Sequence, residues 1–555
     1  MPETTVDATR RDSIAPYLLL AAVLVLATVA LLTLGDGLTF YQDTWAYLLD
    51  RTGFSADVFL SPHNEHIVVI PVALEKLLVE VFGMSSALPE YLALDAMLLV
   101  TAVLVFVYVK RRLGPWPALL ATVLVLFLGP AWQVLLWPFE IALVGSTMTG
   151  LAMLLALERE DRRGDVAACV LLAISILFSS LGVAFAAGAL IHVFGHRRRL
   201  GLRRLYVPAV GLGIYAAWYL GYGHDAESHL SAHNVIHSPI FVAEGLSASV
   251  GAVSGLTALS DNPAGRPYLG FALLVVLVGL LAWRLWRHPR IPASFWPTAA
   301  TAAAFWFLAA FNRSPGREAQ ANRYMHFGAI LILLMAADLL RGARLGVRAL
   351  LVAAAVVLAI TAVNFDELEN GRDALKEQTL LTRSDLAAME IASRTIAPDF
   401  VLSPEVSGSP SLIDVDAASY FPVVREHGSP AYTEQELADA PELGRAWADV
   451  VLAAALPIGT ATGPLPQPLP DPGSCRTLPA GGGQALRIGP GKTEVLLGKG
   501  PEATLSLRRF AVGEFPVNLA TAPGDSMVLV DIPADRSSRP WWLRVEASQA
   551  ARVCS

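Results

Sequence analysis

Two stretches of this chain carry side chains able to do chemistry at a membrane surface. Between residues 36 and 66 stand Asp36, Asp43, Asp57, His63, Glu65 and His66, each able to move a proton or ligate a metal. They follow directly on an apolar run, where a carboxylate is partly withdrawn from water and its pKa responds to neighbouring charge. Structural roles compete for the same residues. Asp43 suits the cap of a helix starting at Thr44, and His63 and His66 suit the head of the amphipathic stretch 66–84. The HxxH spacing lacks the HExxH order of a zinc-protease helix.

The second stretch, Asn312 to His326, holds Arg313, Arg317 and Arg323 ahead of Tyr324, at the mouth between two apolar runs. A guanidinium fork suits bidentate phosphate binding; the competing role is snorkelling to lipid headgroups. Arg323 lies where the phosphate of a lipid entering beside the helix would sit. The segment 223–266 holds His224, Asp225, Glu227, His229, His233 and His237, its histidines spaced by 5, 4 and 4. That spacing is open to a metal site or to scattered loop histidines. Glu140 closes the run Leu135–Phe139, and an ionisable group at such depth is a functional candidate.

Positioning these groups is the task of the apolar elements. The chain has 555 residues, 54% hydrophobic and 16% charged, with a mean hydropathy of +0.51. A soluble domain carries about 25% charge. Residues 1–364 hold 23 acidic and 25 basic side chains, whereas 365–555 hold 25 and 16. This excludes a single soluble domain, a fibrous chain and a disulfide-rich scaffold. Bases occur only in short clusters, so no nucleic-acid partner is expected.

A spanning helix needs about 20 apolar residues. Qualifying runs lie near 15–35, 89–109, 116–136, 141–157, 165–180, 181–196, 205–222, 267–285, 294–311, 324–341 and 348–364. Basic clusters stand at Arg10-Arg11, Lys110 to Arg112, Arg159 to Arg163, Arg197 to Arg204, Arg284 to Arg290 and Arg341 to Arg348. With eleven spans and the N-terminus inside, all of them face the cytoplasm. The expected fold is therefore a polytopic α-helical membrane protein of about eleven transmembrane helices. It is a multi-pass protein of the plasma membrane, with a cytoplasmic N-terminus (1–14), a membrane domain (15–364) and an outer loop at 36–88. Residues 223–266, 312–323 and everything from 365 onward are expected outside.

The tail is read as an extracytoplasmic α/β region. Helical patterns cover 366–396 and 433–455, a proline-rich linker covers 464–473, and β-prone runs from 474 to 555 predict a small β-sandwich. Cys475 and Cys554 bracket that sandwich and face an oxidising compartment, so a disulfide between them is expected. Cys169 lies in a span as a small core residue. Trp541-Trp542 suits either a sugar-stacking platform or core packing.

On these residues the layout resembles the GT-C superfamily of membrane glycosyltransferases, in particular its protein O-mannosyltransferase-like and actinobacterial arabinosyltransferase-like branches. Asp43, within Tyr41-Gln42-Asp43-Thr44-Trp45, takes the position of the family's acidic residue. Pro62-His63-Asn64-Glu65-His66, followed by an amphipathic stretch and Phe82-Gly83, is similar to its His-Pro-Pro, helix, Phe-Gly segment, with Asn64-Glu65 in place of the prolines. Arg323-Tyr324 resembles the arginine-led entrance to a late span, and the outer β module resembles the carbohydrate-binding modules of some arabinosyltransferases. The resemblance implies transfer of a sugar from a polyprenyl-phosphate donor to an extracytoplasmic glycan or protein acceptor. Asp43 is then the general base. Arg323, with Arg317, Arg313 and Tyr324, holds the donor phosphate, and Asp36, His63, Glu65, His66 and Glu140 serve the acceptor or a metal. No adjacent Asp-Asp or Glu-Asp pair occurs in the first outer loop, so the metal is unassigned and a divalent cation stays an open cofactor. Membrane lipids are the remaining partner. Two other classes stay open: a lipid or glycan transporter or flippase, which would favour internal repeats and ionisable groups at mid-membrane, and a non-catalytic scaffold of envelope assembly.

Overall fold

The structure, a computed structural model, describes residues 14–195, 201–256, 268–287, 289–314, 317–343, 345–403, 406–409, 412, 415–471, 473 and 475–554. Arg10, Arg11, Arg197 to Arg199, Arg344, Pro315 and Gly316, all part of the stretches singled out above, lie outside the described residues. The chain divides into two compact units. The first comprises 1–36, 53–75 and 88–373, the second 37–52, 76–87 and 374–555.

Unit one is helical. Among the described residues five helices are long and apolar enough to cross a membrane: Ala15–Gly35, Leu88–Leu113, Pro138–Leu157, Ala232–Ser254 and Val347–Ile391. Pro115–Leu126 and Gly129–Leu136 form one further apolar pair bent by 48°. Shorter apolar helices follow at Gly182–Gly195, Gly270–Trp286 and Phe295–Phe311. This is a multi-pass membrane protein. The expected runs 165–180 and 181–196 are the helices Arg162–Phe178 and Gly182–Gly195, parted where the Ser179 backbone turns extended.

The helices pack through aromatic side chains set against glycine. Phe305 meets Phe327 edge-on at 4.6 Å and Phe185 meets Phe327 at 5.6 Å. Gly245 lies so close to Trp306 that a Cβ there would stand 2.1 Å from its ring. At the basic ends of the helices a buried polar lock replaces apolar packing. Asp338 accepts from Arg112 Nε, Tyr108 Oη and Ser294 Oγ, each at 2.6 Å, and Arg112 also pairs with Glu158. Arg204 likewise pairs with Asp165 and donates to the Leu157 carbonyl. Buried charges are tolerated only when paired in this way.

One element departs from expectation. Helix Ala232–Ser254 occupies much of the segment read as an outer loop. Its apolar pattern is broken by His233, His237, Pro239 and Glu244, which hid the helix from hydropathy. Asn234 near its start donates to the Phe311 and Arg313 carbonyls, while Ala252 near its end accepts from Asn364 and Gly255 packs on Ile360. Residues 311–313 lie at the far end of helix Phe295–Phe311. Ile360 lies about 20 Å along the helix that begins at Val347, at 1.5 Å per residue. The length of Ala232–Ser254 suffices for a full crossing.

Unit two joins helical and β layers. A two-stranded hairpin, β1 (Val401–Leu402) with β2 (Val415–Asp416), precedes helices Ala417–His427, Glu434–Asp439 and Glu442–Ala455. The nine remaining strands are β3 (Gly459–Pro464), β4 (Cys475–Leu478), β5 (Ala485–Ile488), β6 (Gly491–Leu496), β7 (Ala503–Arg508), β8 (Val517–Ala522), β9 (Ser526–Ile532), β10 (Trp541–Glu546) and β11 (Ala551–Cys554). They form two antiparallel sheets, β5-β10-β7-β8 and β3-β9-β6-β11-β4. The disulfide Cys475–Cys554 joins directly paired residues of β4 and β11. The first strand of the larger sheet lies before the proline-rich linker, so the β region begins at 459, ahead of the expected 474. Gly459-Thr460-Ala461-Thr462 lacks apolar alternation because β3 is an exposed edge strand. Trp541 is fully buried under the Arg509 guanidinium, 4.5 Å from its ring, which makes it core, while Trp542 is half-buried.

Candidate functional site

In unit one, three separated segments of chain meet at Arg317. The first is the turn 63–66, closed by reciprocal His63–His66 backbone bonds of 3.0 and 2.9 Å. Asn64 takes a φ of +51° there, a conformation its short side chain tolerates better than most. Ser180 braces the turn, donating to the Glu65 carbonyl and accepting from the Ile67 N–H, both at 3.3 Å. The second is 223–231, whose Glu227 N–H donates to the Asn64 carbonyl at 3.1 Å. The third is 312–323. Asn312 Oδ1 accepts from the His229 N–H at 2.8 Å, and Asn234 Nδ2 donates to the carbonyls of His229 and Arg313, both at 2.9 Å.

Arg317 ties the three together. Its Nη1 donates to Glu65 at 2.6 Å and its Nη2 to Glu227 at 2.8 Å, with the arginine side chain only 13% exposed. The other Glu227 oxygen accepts from His229 Nε2 at 2.8 Å. Burial works to raise the Glu65 carboxyl. The nearby His66 ring, the Arg317 guanidinium, its own backbone N–H and Asn312 outweigh burial and hold it below the usual carboxylate range. His66 is pushed down, first by burial and then by Arg317, His63 and Arg323, against the opposing pull of Glu65. Its Nδ1 is buried with no hydrogen-bond partner among the described residues.

The remaining residues take distinct places. His63 presents its ring edge-on to Phe139 at 5.3 Å, and Phe139 stacks on Trp137 at 5.0 Å. Glu140, at the end of the turn Pro138–Glu140, is 3% exposed, and its charge, with that of Glu65, acts on Arg323. The Arg323 guanidinium lies 5.5 Å from the centre of the Tyr324 ring, which packs on Phe305 at 5.9 Å. Arg313 pairs with Glu318 at 3.2 Å and faces Phe241. His63, Glu65, His66, Glu140, Arg317, Arg323 and Tyr324 thus belong to one neighbourhood of unit one. Asp36, just past helix Ala15–Gly35, is exposed and makes none of these contacts.

Asp43 belongs to unit two. Gln42, at a φ of +44°, turns the chain so that Trp45 N–H donates to the Gln42 carbonyl at 2.9 Å and helix Thr44–Leu49 begins. Asp43 occupies the cap position, but its side chain does not bond the helix N–H groups. Burial and the Asp43 charge together push the Tyr41 hydroxyl up. Trp45 anchors the helix on Tyr420, ring to ring at 6.4 Å.

Three partners escaped sequence reasoning. Asn312, Asn234 and Ser180 act through backbone groups 83, 79 and 115 residues away, and uncharged hydrogen-bonding residues give no pattern to find. Glu227 stood in the histidine-rich stretch without a partner to single it out. Among the described residues no group of three or more His, Cys, Asp or Glu side chains is arranged to hold a metal ion. At the Arg317 junction the chemistry also disfavours one, since Glu65 is engaged by a guanidinium and two arginines flank His66.

No family model matches this chain, and no curated protein matches it. Among solved structures it is similar to ArnT from Cupriavidus metallidurans. The form bound to undecaprenyl phosphate gives a TM-score of 0.45 at 14% identity over 70% of this chain and 82% of that one. The apo form gives 0.45 at 15% identity over the same shares. It is also similar to the arabinosyltransferase EmbB from Mycobacterium smegmatis, with a TM-score of 0.37 at 12% identity over 98% of this chain and 66% of that one.

Proposed function

We propose that this protein is a membrane glycosyltransferase of the GT-C kind, moving a sugar from a polyprenyl-phosphate donor to an extracytoplasmic glycan or protein acceptor. The supporting observation is the neighbourhood at the mouth of unit one, where Arg323 and Arg317 stand among Glu65, Glu140 and His66 beside the entrance of helix Asn322–Leu339. A lipid-borne donor keeps its chain in the bilayer and its sugar in water, so its phosphate must be met at such a boundary. In this reading the departing lipid phosphate gathers negative charge as the glycosidic bond breaks, and a fixed guanidinium stabilises it. Arg323 leads that role, because Arg317 and Arg313 are already engaged by carboxylates. Glu65 and Glu227 orient Arg317, and His66 and His63 serve the acceptor side. Asp43 takes the proton of the acceptor hydroxyl as it attacks the anomeric carbon. In this reading, which the positive-inside pattern of the basic clusters supports, the mouth and unit two face the outside of the plasma membrane.

The assignment of Asp43 is tested in nanodiscs with a radiolabelled polyprenyl-phosphate sugar and a short glycan acceptor. Asp43→Asn keeps the shape of the side chain but removes the base, so transfer should fall by about 10²–10⁴-fold with membrane insertion intact. Wild-type transfer by that variant removes Asp43 from the reaction.

A further inference from the structure

The histidine-rich stretch resolves into three unlike parts. His224 lies in an exposed turn beside Asp225, with 3.5 Å between Nε2 and the carboxylate. His229 donates to Glu227 at the Arg317 junction. His233 and His237 stand alone together. They are one turn apart on helix Ala232–Ser254, both exposed, with ring centroids 4.0 Å apart and planes within 29° of parallel.

His237 Nδ1 lies 2.8 Å from the His233 carbonyl oxygen. A carbonyl can only accept, so Nδ1 carries the proton and the lone pair of neutral His237 sits on Nε2, the outer edge of the ring. An imidazole whose Nδ1–H is held by a backbone carbonyl is oriented as metal-ligating histidines are, with tautomer and ring direction set before the ion arrives. The helix start beneath the pair is fixed as well. Ser231 caps it by accepting the Asn234 N–H at 3.1 Å, and Asn234 is bonded to the His229, Phe311 and Arg313 carbonyls.

We infer that His233 and His237 form a two-histidine chelate for a first-row divalent transition ion, with water completing the coordination. Two histidines at i and i+4 share one helix face and can reach one ion between them. At Zn–N bonds of about 2.0–2.1 Å and a tetrahedral angle, the two Nε2 atoms must lie about 3.3 Å apart. The rings are stacked, with centroids 4.0 Å apart, so to ligate one ion they must turn about χ2 out of the stack until both Nε2 lone pairs converge on it. Two imidazoles and no carboxylate select Zn²⁺, Ni²⁺ or Cu²⁺ over Mg²⁺ and Ca²⁺, which take oxygen ligands. This site is separate from the Arg317 junction, and it does not depend on the transferase reading.

The test is isothermal titration of the intact, tag-free protein in nanodiscs with ZnCl₂ and, separately, with MgCl₂. One saturable Zn²⁺ site is expected, with no heat from Mg²⁺. His233→Ala and His237→Ala should each weaken Zn²⁺ binding by about tenfold or more, since even outer-shell changes cost 10–100-fold. His224→Ala should leave it unchanged. The side chains of His233 and His237 are exposed, and unaltered thermal midpoints will show that the variants fold. No Zn²⁺ binding by the wild type overturns the inference. So does binding that survives both substitutions, or binding lost equally in His224→Ala.

Discussion

Asp449 offers the sharpest test of how unit two is held together. Its carboxylate is fully buried in helix Glu442–Ala455 and accepts three consecutive backbone N–H groups, from Arg509 at 2.8 Å, Phe510 at 3.0 Å and Ala511 at 3.0 Å. Two turns earlier on the same helix, Glu442 accepts the next two, Val512 and Gly513, both at 2.8 Å. Asp449→Ala leaves three donors without acceptors. Each unsatisfied buried group costs about 1–3 kcal/mol, part of which water entering the vacated space recovers, so a net loss of about 3 kcal/mol is expected. Arg508 and Arg509 flank the loop, so its opening is read by a trypsin pulse on the full chain in nanodiscs, counting cleavage after those residues by mass spectrometry. Cleavage of a transiently open segment follows the open population, and about 3 kcal/mol corresponds to roughly 160-fold more of it. Glu442 should keep 512–513 in place and confine the change to this loop. Cleavage within about threefold of wild type would mean that the Asp449 bonds do not hold the loop, whatever their geometry.

Two further outcomes follow from buried charge. Burial pushes the Asp385 carboxyl up to about 7 and that of Asp449 up to about 6, each against opposing hydrogen bonds from Ser407 and from backbone N–H groups respectively. A carboxyl raised in the folded state holds a proton that the unfolded chain has released. Stability from these groups is therefore full below about pH 4 and declines as pH rises through 6–7. Tryptic opening of the 509–511 loop, normalised to an unfolded peptide, should grow by about tenfold from pH 5 to pH 8 as Asp449 ionises; a pH-independent rate in the wild type contradicts it. Removing Arg317 by substitution with Ala takes from Glu65 a cation that opposes its burial, so the Glu65 carboxyl should titrate at higher pH, followed by its band in pH-difference infrared spectra. An unshifted titration means that the Arg317–Glu65 pair does not govern that carboxyl.

Much of this architecture was legible in the sequence because hydrophobic burial leaves a periodic trace. The run 15–35 reappears as helix Ala15–Gly35, and the alternation at 527–532 and 541–545 reappears as β9 and β10. Illegible elements hold their place by other means. Helix Ala232–Ser254 is anchored by Asn234 and Ser231, and its histidines and proline mask the apolar face. Strand β3 pairs with β9 along an exposed edge and needs no apolar side chains. At the mouth of unit one the residue types were readable while their pairing was not. Glu65 and Arg317 lie 252 residues apart and Glu227 and Arg317 lie 90 apart, and neither separation leaves a local signal. The sequence therefore points to arginines for phosphate, and only the three-dimensional arrangement separates Arg317, clamped between two carboxylates, from Arg323 beside Tyr324.

In the proposed function the Arg323 guanidinium holds the phosphate of a lipid-linked sugar. Release of free polyprenyl phosphate from a polyprenyl-phosphate sugar, followed in nanodiscs for the wild type and for Arg323→Ala, tests it most directly. Acceptor-dependent release by the wild type is expected, and in the variant a donor KM raised by about tenfold or more, for loss of a charge-assisted bond, with the acceptor KM unchanged. Absence of any release by the wild type, or equal loss of donor and acceptor affinity in the variant, would contradict it.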